Sequence, residues 1–136
     1  MYSNKNLSNI IYQYENENFS YGKFDCAIFA ASIIDEYADK NLLKLKEDIN
    51  YTNYRGAMKA LKNLKCETLE DLFGIILNKP KKDISKVKLG EPVYYINESG
   101  EGIIGICNGV RAYFIQIGGG LTTRPITDCL YCWSIK

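Results

Sequence analysis

Gly102-Ile-Ile-Gly-Ile-Cys-Asn-Gly-Val-Arg-Ala-Tyr-Phe-Ile-Gln-Ile117 reads as two strands folded about Asn108-Gly109. Asn-Gly between apolar, β-branched runs is the strongest short-range hairpin signal, because both central residues of the tight turn need positive φ. The reading gives strands at Gly102–Cys107 and Val110–Ile117. A two-residue loop would set Cys107 opposite Val110, hence Ile103 opposite Phe114 and Glu101 opposite Gln116. Strand alternation then puts Ile103, Glu101, Phe114 and Gln116 on one face.

Working outward, Gly90-Glu-Pro92 is a turn into a strand at Val93–Ile96. Gly118-Gly-Gly120 reverses the chain before short strands at Leu121–Arg124 and Cys132–Ile135. Lys79 to Lys88, broken by Pro80, reads as a polar connector. Upstream the period changes to helical. Leu7, Ile10, Ile11 and Tyr14 share one face of a first helix, and Phe19 to Phe24 form a loop around Gly22. Asp25 caps a helix running to about Ala38. A third helix spans about Arg55 to Leu64, burying Ala57, Ala60, Leu61 and Leu64. A fourth starts at Thr68, where Thr68-Leu-Glu-Asp71 resembles a capping box, and ends near Leu77. Helices followed by an antiparallel sheet define an α+β fold. We expect one domain over 1–136, helical over about 1–78 and sheet over about 90–136.

The 136 residues suit a single core. Hydrophobic content of 46% with 24% charge is that of a globular chain, not a disordered one. The chain has no histidine. That excludes Ser-His and Cys-His dyads in their usual form, His-containing zinc sites and facial-triad iron. A formal charge of +1 gives no steering toward nucleic acid. No apolar run approaches a membrane span, and Met1-Tyr-Ser-Asn-Lys-Asn6 has no signal-peptide core. These features predict a chain made in a cytoplasm. Its five cysteines are then thiols rather than a disulfide framework.

Most motif matches dissolve on their context. Gly100-Glu-Gly-Ile-Ile-Gly105 has the spacing of a dinucleotide loop but runs into a hairpin where a helix is required. Cys129-Leu-Tyr-Cys132 is a lone CxxC whose two further zinc ligands could come only from Cys66, Cys107 or a carboxylate, so we expect small buried residues and neither metal nor cofactor. Cys26 carries more information. It follows an N-cap, where the helix dipole favours a thiolate by about 0.3–1 kcal/mol. That would lower a free thiol from about 8.5 only to roughly 8.

Phe19-Ser-Tyr-Gly-Lys-Phe-Asp-Cys-Ala-Ile-Phe29 resembles the nucleophile segment of NlpC-type, papain-like cysteine peptidases. Gly90-Glu91 resembles their Gly-Asp turn, and Ile103-Ile-Gly-Ile-Cys107 the strand on which they carry His-Val-Gly-Ile-Tyr. Small uncharacterised phage and prophage tail-associated proteins resemble the chain over more of its length, from about Leu7 to Ile135. They share the short Tyr-Gly-x-x-Asp-Cys loop, an Arg-Gly-Ala helix start like Arg55-Gly-Ala57, and a terminal Trp like Trp133. The resemblance implies a papain-like fold with Cys26 at the nucleophile position and a cleft at Tyr21, Gly22, Asp25 and Ile103. It also places Ile103 where the peptidases have their catalytic histidine.

Two functions follow from the resemblance. The first is a tail-associated protein without Cys-His hydrolysis, acting in binding or assembly on phage tail proteins or cell-wall peptides. It would lie in the host cytoplasm or be carried into a virion, and would use neither nucleic acid nor membrane. The second is a cell-wall peptide hydrolase or acyl transferase using Cys26 with a non-histidine base. If the Ile103 face meets the Cys26 helix, Glu101 and Gln116 are the nearest polar candidates, with Glu101 solvated near its turn. Oligomeric state is left open.

Overall fold

Each α-helix among the described residues begins with a side-chain cap in the computed structural model, which describes residues 6–21, 25–44 and 51–136. The helices are α1 (Leu7–Tyr12), α2 (Cys26–Ala38), α3 (Tyr54–Asn63) and α4 (Leu69–Leu77). Asn6, Asp25, Asn53 and Thr68 accept from the backbone N–H of Asn9, Ile28, Gly56 and Asp71, donors that the first turn leaves unpaired. α2 and α4 stop at Asp39 and Asn78, whose φ of 54° and 53° is the left-handed conformation Asp and Asn tolerate best after glycine.

The second half forms one antiparallel six-stranded sheet in the order β1-β6-β2-β3-β4-β5. Its strands are β1 (Lys82–Asp83), β2 (Pro92–Ile96), β3 (Gly102–Cys107), β4 (Arg111–Ile115), β5 (Leu121–Pro125) and β6 (Tyr131–Cys132). The architecture is α+β, helices first and antiparallel sheet after. No helix among the described residues is long and apolar enough to cross a membrane.

Several details differ from the expectations drawn from sequence. The hairpin pairs Ile106 with Tyr113 and Cys107 with Ala112, two residues beyond the expected register. Its loop runs from Asn108 to Val110, closed by the Asn108 N–H donating to the carbonyl of Arg111, the first residue of β4, at 2.9 Å. The turn is held from outside. Asn108 Nδ2 donates to Ser8 Oγ at 3.1 Å, and the Ile126 N–H donates to the Val110 carbonyl at 3.0 Å. Val110 is left at the tip, 84% exposed.

The connector also contains a strand. Lys82 and Asp83 pair with β6, and Lys82 Nζ lies 2.9 Å from the buried carboxylate of Glu91. That carboxylate also accepts the Lys88 N–H at 2.8 Å. A polar segment is therefore pinned to the sheet by an ion pair that hydropathy does not register. Toward the C-terminus β6 ends at Cys132. Trp133 and Ile135 are buried by packing outside the ladder, Trp133 against Phe73 and Tyr94.

The sheet divides the core in two. Ile104, Ile106, Ile115 and Tyr94 pack with Phe29, Ile33 and Ile34 of α2. Val93, Cys107, Ala112, Phe114, Cys129 and Cys132 form a second cluster, with Ile103 and Tyr95 against it. The α2 helix thus meets the even-numbered face of β3. Because the register differs by two residues, Ile103 and Phe114 still share a face, but it is the other one. Phe114 covers Gly105, where a Cβ would collide with its ring and with the Tyr113 carbonyl.

Candidate thiol site and its cavity

Cys26 is the first residue of α2, placed there by Asp25 as N-cap. Asp25 is buried. One carboxylate oxygen accepts the Ile28 N–H at 3.0 Å and the other accepts the Tyr51 hydroxyl. Burial, the Asp25 charge and that hydrogen bond together push the Tyr51 phenol well above its ordinary value. Tyr51 therefore serves as a neutral donor fastening the segment before α3 to the head of α2.

The Cys26 sulfur meets backbone amides. Odd residues of β3 exchange hydrogen bonds with the β2 side, as in the Cys107 N–H to the Glu91 carbonyl at 3.0 Å and the Asn97 N–H to the Glu101 carbonyl at 2.9 Å. Alternation turns the Ile104 N–H the other way, toward β4. The β3–β4 pairing stops at Ile106 and Tyr113, so that amide is free to reach the Cys26 sulfur. Burial nevertheless dominates and pushes the thiol up to about 12. The Ile104 amide works against this, the Asp25 charge adds to it, and first-turn amides of Ala27 and Cys26 oppose it again. At neutral pH the sulfur is a protonated thiol.

Around it lies a cavity of about 640 Å³, within the ~300–1,000 Å³ usual for small-molecule sites. Cys26, Tyr21, Tyr51 and Glu101 border one end. The aliphatic faces of α3 and α4, with Leu61, Leu64, Leu69 and Leu72, border the other. Rings frame the thiol end. Phe19 meets Tyr21 edge-on at 4.8 Å, and Tyr21 meets Tyr54 at 6.1 Å. Tyr21 is raised above an ordinary phenol by burial first, then by Glu101, Cys26, Tyr54 and Asp25. These groups are therefore close neighbours.

Of the residues singled out from the sequence, the structure brings together Cys26, Asp25, Tyr21 and Glu101. Glu101 is half-buried rather than solvated, because its N–H is held to Asn97 Oδ1 at 3.0 Å in the turn before β3. Ile103 borders the cavity but packs with the cluster behind the sheet, not on α2. Gln116 is exposed at the cavity edge, and its side-chain amide donates to the Leu121 carbonyl at 3.2 Å in the β4–β5 turn. Gly22 lies outside the described residues. Tyr51 and Tyr54 were not foreseen. The pair Tyr51-Thr-Asn-Tyr54 ahead of a capped helix was the available signal, but only the tertiary fold places it on Asp25.

Cys129 and Cys132 are buried behind the sheet with Cys107. Burial, assisted by Asp128, pushes Cys129 up to about 12. Burial also raises Cys132 to about 11 against the opposing charge of Lys82. Cys132 donates to the Asp83 carbonyl at 3.5 Å and Cys107 to the Gly109 carbonyl at 3.4 Å, as packed thiols do. Among the described residues no group of three or more Cys, Asp or Glu side chains could hold a metal ion.

These elements define an α+β domain with a protonated cysteine at the head of its central helix, opening on a largely aliphatic cavity. The chain belongs to the family described as Domain of unknown function (DUF6950), whose model matches residues 2–135. No curated protein and no solved structure matches it.

Proposed function

We propose that this chain is a binding module on a papain-like, NlpC-type scaffold that has given up Cys-His hydrolysis, serving as a phage or prophage tail-associated component. One observation carries the loss of hydrolysis: burial pushes the Cys26 thiol up to about 12, and the Asp25 charge beside it adds to that rise. That carboxylate, Asp25, is already committed to the Ile28 amide and the Tyr51 hydroxyl. Positioned acid–base help contributes about 10²–10⁴-fold to such reactions, and the chain has no histidine to supply it. What remains is a cavity of ligand size. The tail association rests on the resemblance of the Tyr21 to Cys26 loop, the Arg55-Gly-Ala57 helix start and Trp133.

Iodoacetamide labelling of the native protein against pH, with the modified residue located by peptide mapping, tests the thiol. Labelling of Cys26 is expected to stay slow at neutral pH and to climb only in strong alkali. Fast labelling with an apparent pKa well below 8.5 would overturn the reading. Recovery of tail proteins or virions with the tagged chain is the expected result for the assembly role, and their absence counts against it.

A second reading has its own support, since the Ile104, Ala27 and Cys26 amides around the sulfur would stabilise a thiolate once formed. In that reading Glu101 takes the Cys26 proton, the sulfur attacks the carbonyl of a cell-wall peptide or acyl donor, the amine or other leaving group departs with that proton, and water or an acceptor nucleophile then releases the acyl group from Cys26. Muropeptide turnover lost in Cys26→Ala would establish it, and identical traces for the two proteins would eliminate it.

A further inference from the structure

The cavity is chemically lopsided. Among the described residues its wall holds the carboxylates of Asp25, Glu67, Glu98 and Glu101 and a single cation, Arg124, which is paired with Glu98 and lies over the Tyr95 ring. No lysine joins that wall among those residues, although the chain carries 17 Lys and Arg in all. Glu101 is half-buried, and among the described residues nothing donates to its carboxylate. It stands near Tyr21, whose ring meets Tyr54. A carboxylate beside tyrosine rings is a surrounding that favours an organic cation. The opposite end is lined by Ala57, Leu61 and Leu64 from α3 and Leu69, Leu72 and Ile76 from α4. That end is aliphatic, suited to a flexible saturated chain, and a ligand carboxylate or phosphate would find no free cation among these residues.

We propose that the cavity binds an aliphatic ammonium, its chain between α3 and α4 and its cationic head against Glu101, Tyr21 and Tyr54. The assignment rests on reading the chain as a binding module and specifies what that module takes. Aliphatic burial favours binding whatever the head group, so the head supplies the selectivity.

Calorimetric titration of the full chain with octylammonium, octanoate and octanol separates the two contributions. Octylammonium is expected to bind at least about tenfold more tightly than octanoate, and Glu101→Gln to weaken it about tenfold while leaving octanol unchanged. Ala60→Phe, which fills the chain end, is expected to weaken both octylammonium and octanol. Sodium chloride should weaken octylammonium and leave octanol alone, a check on the wild-type protein that no folding defect can imitate. Octanoate binding as tightly as octylammonium, a Glu101→Gln protein unchanged toward octylammonium, or no binding of octylammonium would each overturn the proposal. Octanol binding without an ammonium preference defeats the head-group assignment and leaves the binding module standing. Peptide hydrolysis lost in Cys26→Ala strikes at the module instead and leaves the ammonium preference to be judged by titration.

Discussion

Two helices border the same cavity and are built on opposite terms. In α2, Phe29, Ala30, Ile33 and Ile34 have no exposed surface, whereas in α3 only Leu61 is buried. Their beginnings are alike, an Asp or Asn whose side chain accepts an N–H three residues on. Capping therefore does not decide how deeply a helix is held. The width of the apolar surface does. Cys26-Ala-Ile-Phe-Ala-Ala-Ser-Ile-Ile34 is apolar nearly all round, while Arg55, Lys59 and Lys62 confine α3 to a stripe. That stripe faces cavity rather than protein, so the helix nearest the proposed ligand is the one least fixed by the core.

The largest effect should fall on α2. Phe29→Ala is expected to cost about 3–5 kcal/mol, and Leu64→Ala, on the half-buried stripe of α3, about 1 kcal/mol or less. Urea unfolding followed by the fluorescence of the buried Trp133 measures both. Equal losses would mean that α3 is core, and the contrast would fail.

Next come the caps. Asn53→Ala removes one cap bond, about 1 kcal/mol. Asp25→Ala removes the cap bond and strands the Tyr51 hydroxyl, together about 2–3 kcal/mol. If the two variants unfold at the same urea concentration, the Tyr51 bond contributes nothing and α3 is not tethered to α2 through it.

What the residues disclosed about this pair follows from physics of different range. Both Asp25 and Thr68 could be read as caps because a cap is decided within four residues. The α3 stripe was legible too, but periodicity identifies an apolar face without saying whether protein or space lies opposite, and burial of Ala57, Ala60 and Leu64 was expected where they are half-exposed. The hairpin about Asn108-Gly109 was visible, yet its register differs by two residues, and its turn is bonded to Ser8 and Ile126 from distant segments. Cys26 and Asp25 stood out in the site because their roles begin locally. Tyr51 did not, since its partner is 26 residues away.

Alkaline pH sharpens the comparison further. The Cys26 thiol at the head of α2 is held protonated to about 12, well above an ordinary thiol. Cys129 at about 12 and Cys132 at about 11 behave alike behind the sheet. A folded-state pKa above the unfolded one means that the unfolded chain loses its proton first. Stability should therefore be full below pH 9 and fall as pH rises from 9 toward 11–12. Thermal melts from pH 7 to 11 are expected to show this decline, with a shallower slope in Cys26→Ala. An unchanged slope would mean that Cys26 is already solvated and that the head of α2 is as open as α3.

The smallest effect distinguishes a tethered α3 from a loose one. Gly56 lies in its first turn, and an added Cβ would stand 3.0 Å from Tyr51 Cβ and 3.3 Å from Asn53 Oδ1. Alanine in place of a helical glycine gains about 1 kcal/mol where there is room. Here Tyr51 has to give way, and its hydroxyl is fixed on Asp25 at the head of α2. The gain and the crowding should nearly cancel, leaving Gly56→Ala within about 0.5 kcal/mol of wild type in urea unfolding. The decisive comparison repeats the substitution in Tyr51→Phe, which lacks the hydroxyl bond. If Tyr51 is the constraint, Gly56→Ala becomes stabilising there by close to the full helical increment. A full gain in the wild-type background would instead show that Tyr51 yields freely, and that α3 rests against the cavity without being fastened to α2.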